Sequence, residues 1–418
     1  MLVVLINTSS KKGGAAIACR RLLKALNYNG TTAIMLVRDE AITENMVSTT
    51  HSKLKKWINF YRFAYERFFF FVREKSKSVR FLFSIANVGE DIHKRKEVKQ
   101  ADIIHFHWIN EGFISITGIK EIFNQKKPVV WTLHDMWPFT GGCHHSGECN
   151  RFKQSCGECP FLKYPSSHDL SYRILQKKKK AFAQANLTVV TCSQWLAGKA
   201  RESALFANIN VVSIPNPIDT NVFKPLDKTE ARKTFGLKEN KKYLLFGAVN
   251  VKNYFKGFTY FRDALKVLIQ SNPELSGQLE IVILGRSDEQ ILREVPFKCN
   301  VIGSIHEESM MSQLYNAVHW FVTSSLQENL PNTIMESFAC GTPVVAFNVG
   351  GIPEMVEHKQ NGYLAEYKSI DDLANGIKWA IYEVDHSQLS ENARKKVLDC
   401  YAEEVVAEKY NNLYKSLI

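Results

Sequence analysis

"SSLQENLPNTIMESFACGTPVVAFNVGGIPE", Ser324 to Glu354, decides how this chain folds. It continues HWFVTSS, a short apolar run suited to a buried strand, into a polar loop that carries Glu328. Pro331 follows where a first helical turn begins, because the N–H that proline lacks has no intrahelical acceptor there. The helix carries Glu336 and stops near Gly341, after which TPVVAFN starts another strand. Strand, helix and strand in this order describe a parallel pair with a helical crossover. Free N–H groups at the helix start suit an anion such as a diphosphate. Glu328 and Glu336 add paired acceptors for the vicinal hydroxyls of a sugar or ribose.

The same alternation runs through the rest of the chain. MLVVLINTS is an apolar run before the loop SSKKGG, and AAIACRRLLKALNYNG reads as a helix ended by Gly30. TAIMLV, ADIIHFHWI, KPVVWTLHD, LTVVTCS and INVVSIPN read as further strands. SIPNPIDTNVFKPLD, with Pro215, Pro217 and Pro225, reads as an extended linker. A second series then runs through KYLLFGAVN, LEIVILG, NVIGSI and HWFVTSS. At 418 residues two domains are expected. The prediction is an α/β protein of two Rossmann-like domains whose parallel sheets face a cleft. The N-terminal domain covers 1–212, the linker 213–225 and the C-terminal domain 226–390. In such sheets ligands sit at the carboxyl ends of strands, where each motif below falls.

An apolar fraction of 45% and a charged fraction of 23% place the chain among soluble globular proteins. No run approaches the roughly 20 apolar residues of a membrane span. The N-terminus reads as a strand and not a signal peptide, so the expectation is a cytoplasmic protein. The net charge of +12 points to an anionic partner. Positive charge is dense from Lys53 to Arg80, where nine Lys/Arg face only Glu66 and Glu74. In this basic aromatic segment, taken as 52–99, Trp57, Phe60, Tyr61, Ala64, Phe68, Phe71 and Val72 recur at helical steps, with Lys55, Arg62, Arg67 and Arg73 largely off their stripe. Two readings follow: a helix lying on the inner face of the cytoplasmic membrane, or a helix packed on its own domain with a solvated basic back. Nucleic acid is not expected, because no recognition motif accompanies the charge.

GGCHHSGECNRFKQSCGECP, Gly141 to Pro160, holds Cys143, Cys149, Cys156 and Cys159 in the spacing C-x5-C-x6-C-x2-C. Cys156-x2-Cys159 is knuckle spacing for zinc, and four cysteine ligands leave no open position, so such a site would be structural. His144 or His145 could replace one ligand, and a reduced loop or a redox pair are the other readings. Cys19, Cys192, Cys299, Cys340 and Cys400 lie among apolar neighbours and read as small buried hydrophobes.

Glu328-x7-Glu336, followed by ACGTPVV, the GG-I-P-E turn at Gly350 to Glu354 and NGYL at Asn361 to Leu364, resembles the retaining glycosyltransferases of family 4 (group 1), which have the GT-B fold. IPNPIDTNVFKP resembles their interdomain signature. The resemblance covers nearly the whole chain and is strongest from about 300 to 370. It implies that 391–418 crosses back as a C-terminal helix to the N-terminal, acceptor-binding domain, and that the C-terminal domain binds a nucleotide-diphosphate sugar.

The resemblance also implies roles. Glu336 would hold the ribose, Glu328 the hexose hydroxyls, and the backbone around Asn329, Leu330 and Asn332 the sugar and phosphates. Lys256 matches the lysine that neutralises the diphosphate. Ala248 stands where the family carries an arginine after Gly247, so the second cation is either absent or supplied from elsewhere, with Lys252 as the candidate. Gly13 and Gly14 would let the backbone approach phosphates, and His134 would sit near the reacting sugar. Asp135 is placed to orient His134 or the acceptor, while His105 and His107 share one strand face and read as core or cleft floor. The implied reaction moves a hexose with retention to a hydroxyl of a glycan or lipid-linked acceptor, in capsule, exopolysaccharide or lipopolysaccharide synthesis. No D-x-D pair is present to anchor a catalytic metal, so no cofactor is expected for catalysis. A non-transferring nucleotide-sugar enzyme of the 2-epimerase kind is one alternative. The other is a zinc-bearing basic scaffold or nucleic-acid-binding protein.

Overall fold

Continuous apolar runs of four to six residues form strands buried on both faces, as parallel sheets demand. The computed structural model describes residues 1–39 and 46–418 and divides into two units, Met1–Pro217 with Val406–Ile418, and Ile218–Val405. The first unit holds β1 (Leu2–Asn7), β2 (Thr32–Val37), β3 (Val47–Thr49), β4 (Ile103–Phe106), β5 (Val129–Leu133), β6 (Leu187–Thr191) and β7 (Asn210–Ser213). They pair in the order β3-β2-β1-β4-β5-β6-β7, all parallel. The period of two sends Val4 and Ile6 to one core and Val3 and Leu5 to the other. The second core is closed by Leu22 and Leu26 of the helix Gly14–Tyr28 and by Val406, Tyr410 and Tyr414 of the helix Glu403–Lys415. Each such fully buried aliphatic side chain contributes about 1.5–3 kcal/mol.

The second unit holds β8 (Lys242–Asn250), β9 (Leu279–Arg286), β10 (Cys299–Gly303), β11 (Trp320–Thr323), β12 (Val344–Phe347) and β13 (Gly362–Ala365). Their order is β10-β9-β8-β11-β12-β13, again parallel. The chain therefore reverses its direction of winding between β1 and β4 in one sheet and between β8 and β11 in the other. Loops leaving the carboxyl ends at such a reversal splay apart and open a crevice.

Two local features differ from the sequence expectation, and a third bears on the two readings of the basic aromatic segment. The strands β3 and β13 were not expected; β3 is only three residues long, and β13 overlaps the NGYL motif and ends one residue past it. Pro331 is the cap residue before the helix Asn332–Ala339, not its first turn. The helix Lys53–Phe71 does not pack its aromatic stripe on its own domain. It buries Asn59, Glu66 and Phe70, and leaves Trp57, Phe60, Tyr61 and Phe68 exposed. Buried Glu66 accounts for this orientation, since its carboxylate accepts the backbone N–H groups of Ile85 and Ala86 and pairs with Arg67. Satisfying that charge fixes which face turns inward.

Candidate active site

In the second unit, β8, β11 and β12 are neighbours, and the loops after them carry Lys256, Glu328 and the Gly350–Glu354 turn. The first two loops are clamped together. Leu326 N–H donates to Phe255 O at 2.8 Å, and Ser324 Oγ–H donates to Gly257 O at 2.8 Å. Gly257 has φ 68°, and a Cβ there would run into the Ser324 carbonyl oxygen, so only glycine permits the approach. The clamp sets Lys256 Nζ 2.6 Å from Glu328 Oε1 across 72 residues of sequence. Gly350, at φ 62°, lies against the Glu328 carbonyl oxygen in the same way and holds the loop from the other side.

Glu336 follows on the helix Asn332–Ala339 and is buried at 7% exposure, with Oε2 accepting from Tyr315 OH at 3.2 Å. Tyr315 is fixed in turn, because Thr342 Oγ1–H donates to its carbonyl oxygen at 2.8 Å. Asn329 and Leu330 are buried in the same loop. The structure thus brings Lys256, Glu328, Asn329, Leu330, Asn332 and Glu336 to one end of one sheet. Lys252 does not join them: it pairs with Asp288 at 2.8 Å on the surface, and Ala248 is buried.

In the first unit, Gly13 (φ 89°) and Gly14 open the helix after β1, and His134 follows β5. His134 Nε2 is 3.0 Å from His107 Nδ1 of the chain leaving β4, and its other face meets Cys192 Sγ at 3.7 Å. Burial lowers the pKa of His134 to about 4, against the pull of Asp135, so at neutral pH the ring is uncharged. His107 is also driven well below its ordinary value, first by burial and then by His105 and His134. His105 reaches about 3 by burial, with both ring nitrogens bonded, to Tyr414 OH and Thr132 Oγ1, each at 2.7 Å.

Asp135 is held by the groups around it. Its carboxylate accepts from Trp108 Nε1 at 2.9 Å and Trp137 N at 2.8 Å and lies 2.7 Å from His144 Nδ1. Burial alone would raise its pKa, but His144 and the backbone N–H of Trp137 bring it down to about 2. The second nitrogen of His144 is 2.9 Å from Ser84 Oγ, so both of its ring nitrogens are engaged away from the cysteines. Sequence reasoning did not connect His107 to His134 or Tyr315 to Glu336. Alternation in IIHFHW placed His107 on a face, but only the pairing of β4 with β5 sets it beside His134.

Cys143, Cys149, Cys156 and Cys159 line one small cavity, together with Gly141, Ser146 and Ser171, and all four are free thiols. Among the described residues no three His, Cys, Asp or Glu are set as a metal-holding group. Gly141 N–H donates to Cys156 Sγ at 3.2 Å. Burial raises Cys156 to about 11 and Cys159 to about 12. Lys178 lies fully buried beside them, its ammonium bonded to the Trp137 and Thr140 carbonyl oxygens and 3.7 Å from the centre of the Trp137 ring. Nothing in the run Lys177–Lys180 marks this one lysine as a core residue.

The fold matches the solved structure of Anabaena HepE in complex with UDP over the whole of both chains, with a TM-score of 0.66 at 17% identity. Two Rossmann-like units of this kind make up the GT-B fold. The chain belongs to glycosyltransferase family 4: the model of that family matches 12–222, and that of the glycosyl transferases group 1 matches 240–382. An uncharacterized glycosyltransferase of Haemophilus influenzae is 29% identical over 231 residues, 53% of this chain and 61% of that protein. A putative colanic acid biosynthesis glycosyl transferase of Escherichia coli K12 is 24% identical over 335 residues, 75% of this chain and 76% of that protein. The chain spans less than two thirds of the H. influenzae relative.

Proposed function

We propose that this protein is a retaining hexosyltransferase that uses a nucleotide-diphosphate sugar and a glycan or lipid-linked acceptor in the cytoplasm, for synthesis of a surface polysaccharide. The observation that carries the reading is the Lys256–Glu328 pair at the switch point, with Glu336 one helix away. Glu336 takes the ribose hydroxyls and Glu328 the hexose hydroxyls. Lys256 and the N–H groups of the loop meet the diphosphate as its charge develops, which is preorganised electrostatic stabilisation. The HepE complex with UDP supports the donor class, and the colanic acid name of the E. coli relative supports the polysaccharide.

In the proposed step the bond from the anomeric carbon to the diphosphate oxygen breaks, and the acceptor oxygen bonds to that carbon on the same face. The acceptor's proton passes to the departing diphosphate, so no separate carboxylate base is required. Gly13 and Gly14 admit phosphate to the backbone of the first unit, and His134, its ring uncharged and facing His107 and Cys192, meets the reacting sugar through its backbone carbonyl oxygen. Catalysis then needs no metal, and turnover that persists in EDTA supports this. The deciding experiment is thermal shift with UDP, GDP, ADP and their sugar conjugates, repeated on Glu336→Ala. A shift with one nucleotide that the variant loses supports the reading, and no shift with any of them refutes it.

The cysteine loop is proposed as a structural zinc staple. The shared cavity and the N–H directed at Cys156 Sγ support it, since thiolate ligands favour such donors. Buried Lys178 would offset the negative charge of a tetrathiolate.

A further inference from the structure

The helix Lys53–Phe71 presents to solvent what an amphipathic helix ordinarily buries. Leu54, Trp57, Tyr61, Tyr65 and Phe68 recur at steps of three and four on its outer face and are 53–73% exposed. Phe81 continues the patch from the following segment at 65%. Contiguous exposed aromatic surface on a soluble domain marks a place where something docks. The inner face is held firmly: Glu66 caps two backbone N–H groups, Phe70 stacks on Phe83 at 4.6 Å, and buried Glu90 pairs with Lys55 at 3.2 Å. The outward turn of the aromatics is therefore built into the fold.

Charge selects the occupant. Between Lys53 and Arg80 the two carboxylates, Glu66 and Glu74, are buried and paired, to Arg67 and Arg80. The exposed charges of the segment are Lys53, Lys56, Lys75 and Lys77, all positive. Arg80 stands 5.0 Å from the Phe71 ring, so a cation also borders the aromatic surface itself. A second copy of this chain would set lysines against lysines, whereas an anionic lipid surface complements both the charge and the aromatic side chains.

We infer that this helix is a membrane-docking face, seating its aromatic side chains at the headgroup boundary of an anionic bilayer while the exposed lysines contact lipid phosphates. The inference concerns binding and stands apart from the transfer chemistry.

Co-sedimentation of the full chain with vesicles tests it, using phosphatidylcholine alone and phosphatidylcholine mixed with phosphatidylglycerol. The expected result is pelleting with the anionic vesicles that weakens as salt rises. Trp57→Ser with Phe68→Ser should lower that binding about tenfold or more, as should Lys53→Gln with Lys56→Gln. Both pairs are exposed, and circular dichroism checks that each variant is folded; if the aromatic pair is not, the lysine pair decides. Absence of pelleting with anionic vesicles, or variants that pellet like the parent, overturns the proposal. So does sedimentation velocity showing a dimer that the aromatic variant converts to monomer, because that assigns the face to a second copy.

Discussion

Lys256 Nζ and Glu328 Oε1 stand 2.6 Å apart on loops that leave neighbouring strands of one sheet. The pair is partly solvated, and such ion pairs add at most about 1 kcal/mol to stability. Its position carries the interest, since it rests on two glycines that let backbone meet backbone on either side of the Glu328 loop. The ammonium is held beside its counter-charge in the ligand-free chain, which under the proposed function a diphosphate replaces.

Replacing Lys256 with Met should lower kcat by about 100-fold or more, the scale of losing one preorganised donor to a developing oxyanion. The thermal midpoint should barely move. Steady-state kinetics beside a melting curve check both, and a large stability loss with unchanged kcat would reverse the assignment.

Glu336→Gln should weaken nucleotide binding by roughly ten- to a hundredfold, because hydrogen bonds to a charged acceptor are worth about 1.5–3 kcal/mol. Tyr315→Phe, which removes only the hydroxyl that steadies Oε2, should have a smaller effect. Titration calorimetry with the nucleotide selected by thermal shift measures the two.

Gly350→Ala tests the backbone contact directly. A Cβ at this positive φ cannot coexist with the Glu328 carbonyl oxygen in its present place, so the loop must move. Displacement of about 1 Å at a positioned group costs about 100-fold in rate. The expected outcome is a fall in kcat/KM of that order with stability reduced by about 1 kcal/mol or more, read by kinetics and urea unfolding.

Buried histidines set the acid limit of the first unit. His105 and His134 titrate near 3 and 4 in the folded chain against 6.5 when exposed, and His107 is shifted the same way. Folded-state values below the unfolded value mean that the unfolded chain binds more protons as pH falls below 6.5. Stability should therefore be complete above that pH and fall by about 1.4 kcal/mol per unit per histidine down to about pH 4. Urea midpoints across that range should show it, and His105→Gln should flatten the slope.

Protein purified without chelator should contain about one zinc per chain if the cysteine loop is a staple. Cys156→Ser with Cys159→Ser should remove it and lower the thermal midpoint. Elemental analysis giving only traces in the parent would refute the zinc.

Long-period order was legible in the sequence where one physical constraint acts alone. Strands such as Thr32–Val37 and Lys242–Asn250 lie where apolar runs placed them, because both faces of a parallel sheet must be buried. Glu328, Glu336 and Lys256 were readable from motif context, and their convergence follows from strand order. What escaped depends on partners distant in sequence. Which of the two readings of the helix Lys53–Phe71 fits depends on Glu66, which turns inward because Ile85 and Ala86 offer it N–H groups, and a hydrophobic pattern holds no record of that. Lys178 is buried because two carbonyl oxygens and an indole receive it, and Asp135 turns to His144 because the cysteine-rich loop folds back over it. Each is a polar group whose partner, and not its period, decides where it sits.

The helix Glu403–Lys415 has a consequence for the order in which the molecule is made. Tyr410 and Tyr414 close the core behind β1, β4 and β5 and hydrogen-bond to Thr132 and His105. The strands of the first sheet leave the ribosome before this helix does, so one face of the sheet lacks part of its cover until the helix follows. The intervening unit, Ile218–Val405, is continuous in sequence and can complete itself sooner. Nascent chains should thus expose a half-covered sheet while Ile218–Val405 is being made, the stage at which a chaperone has most to shield.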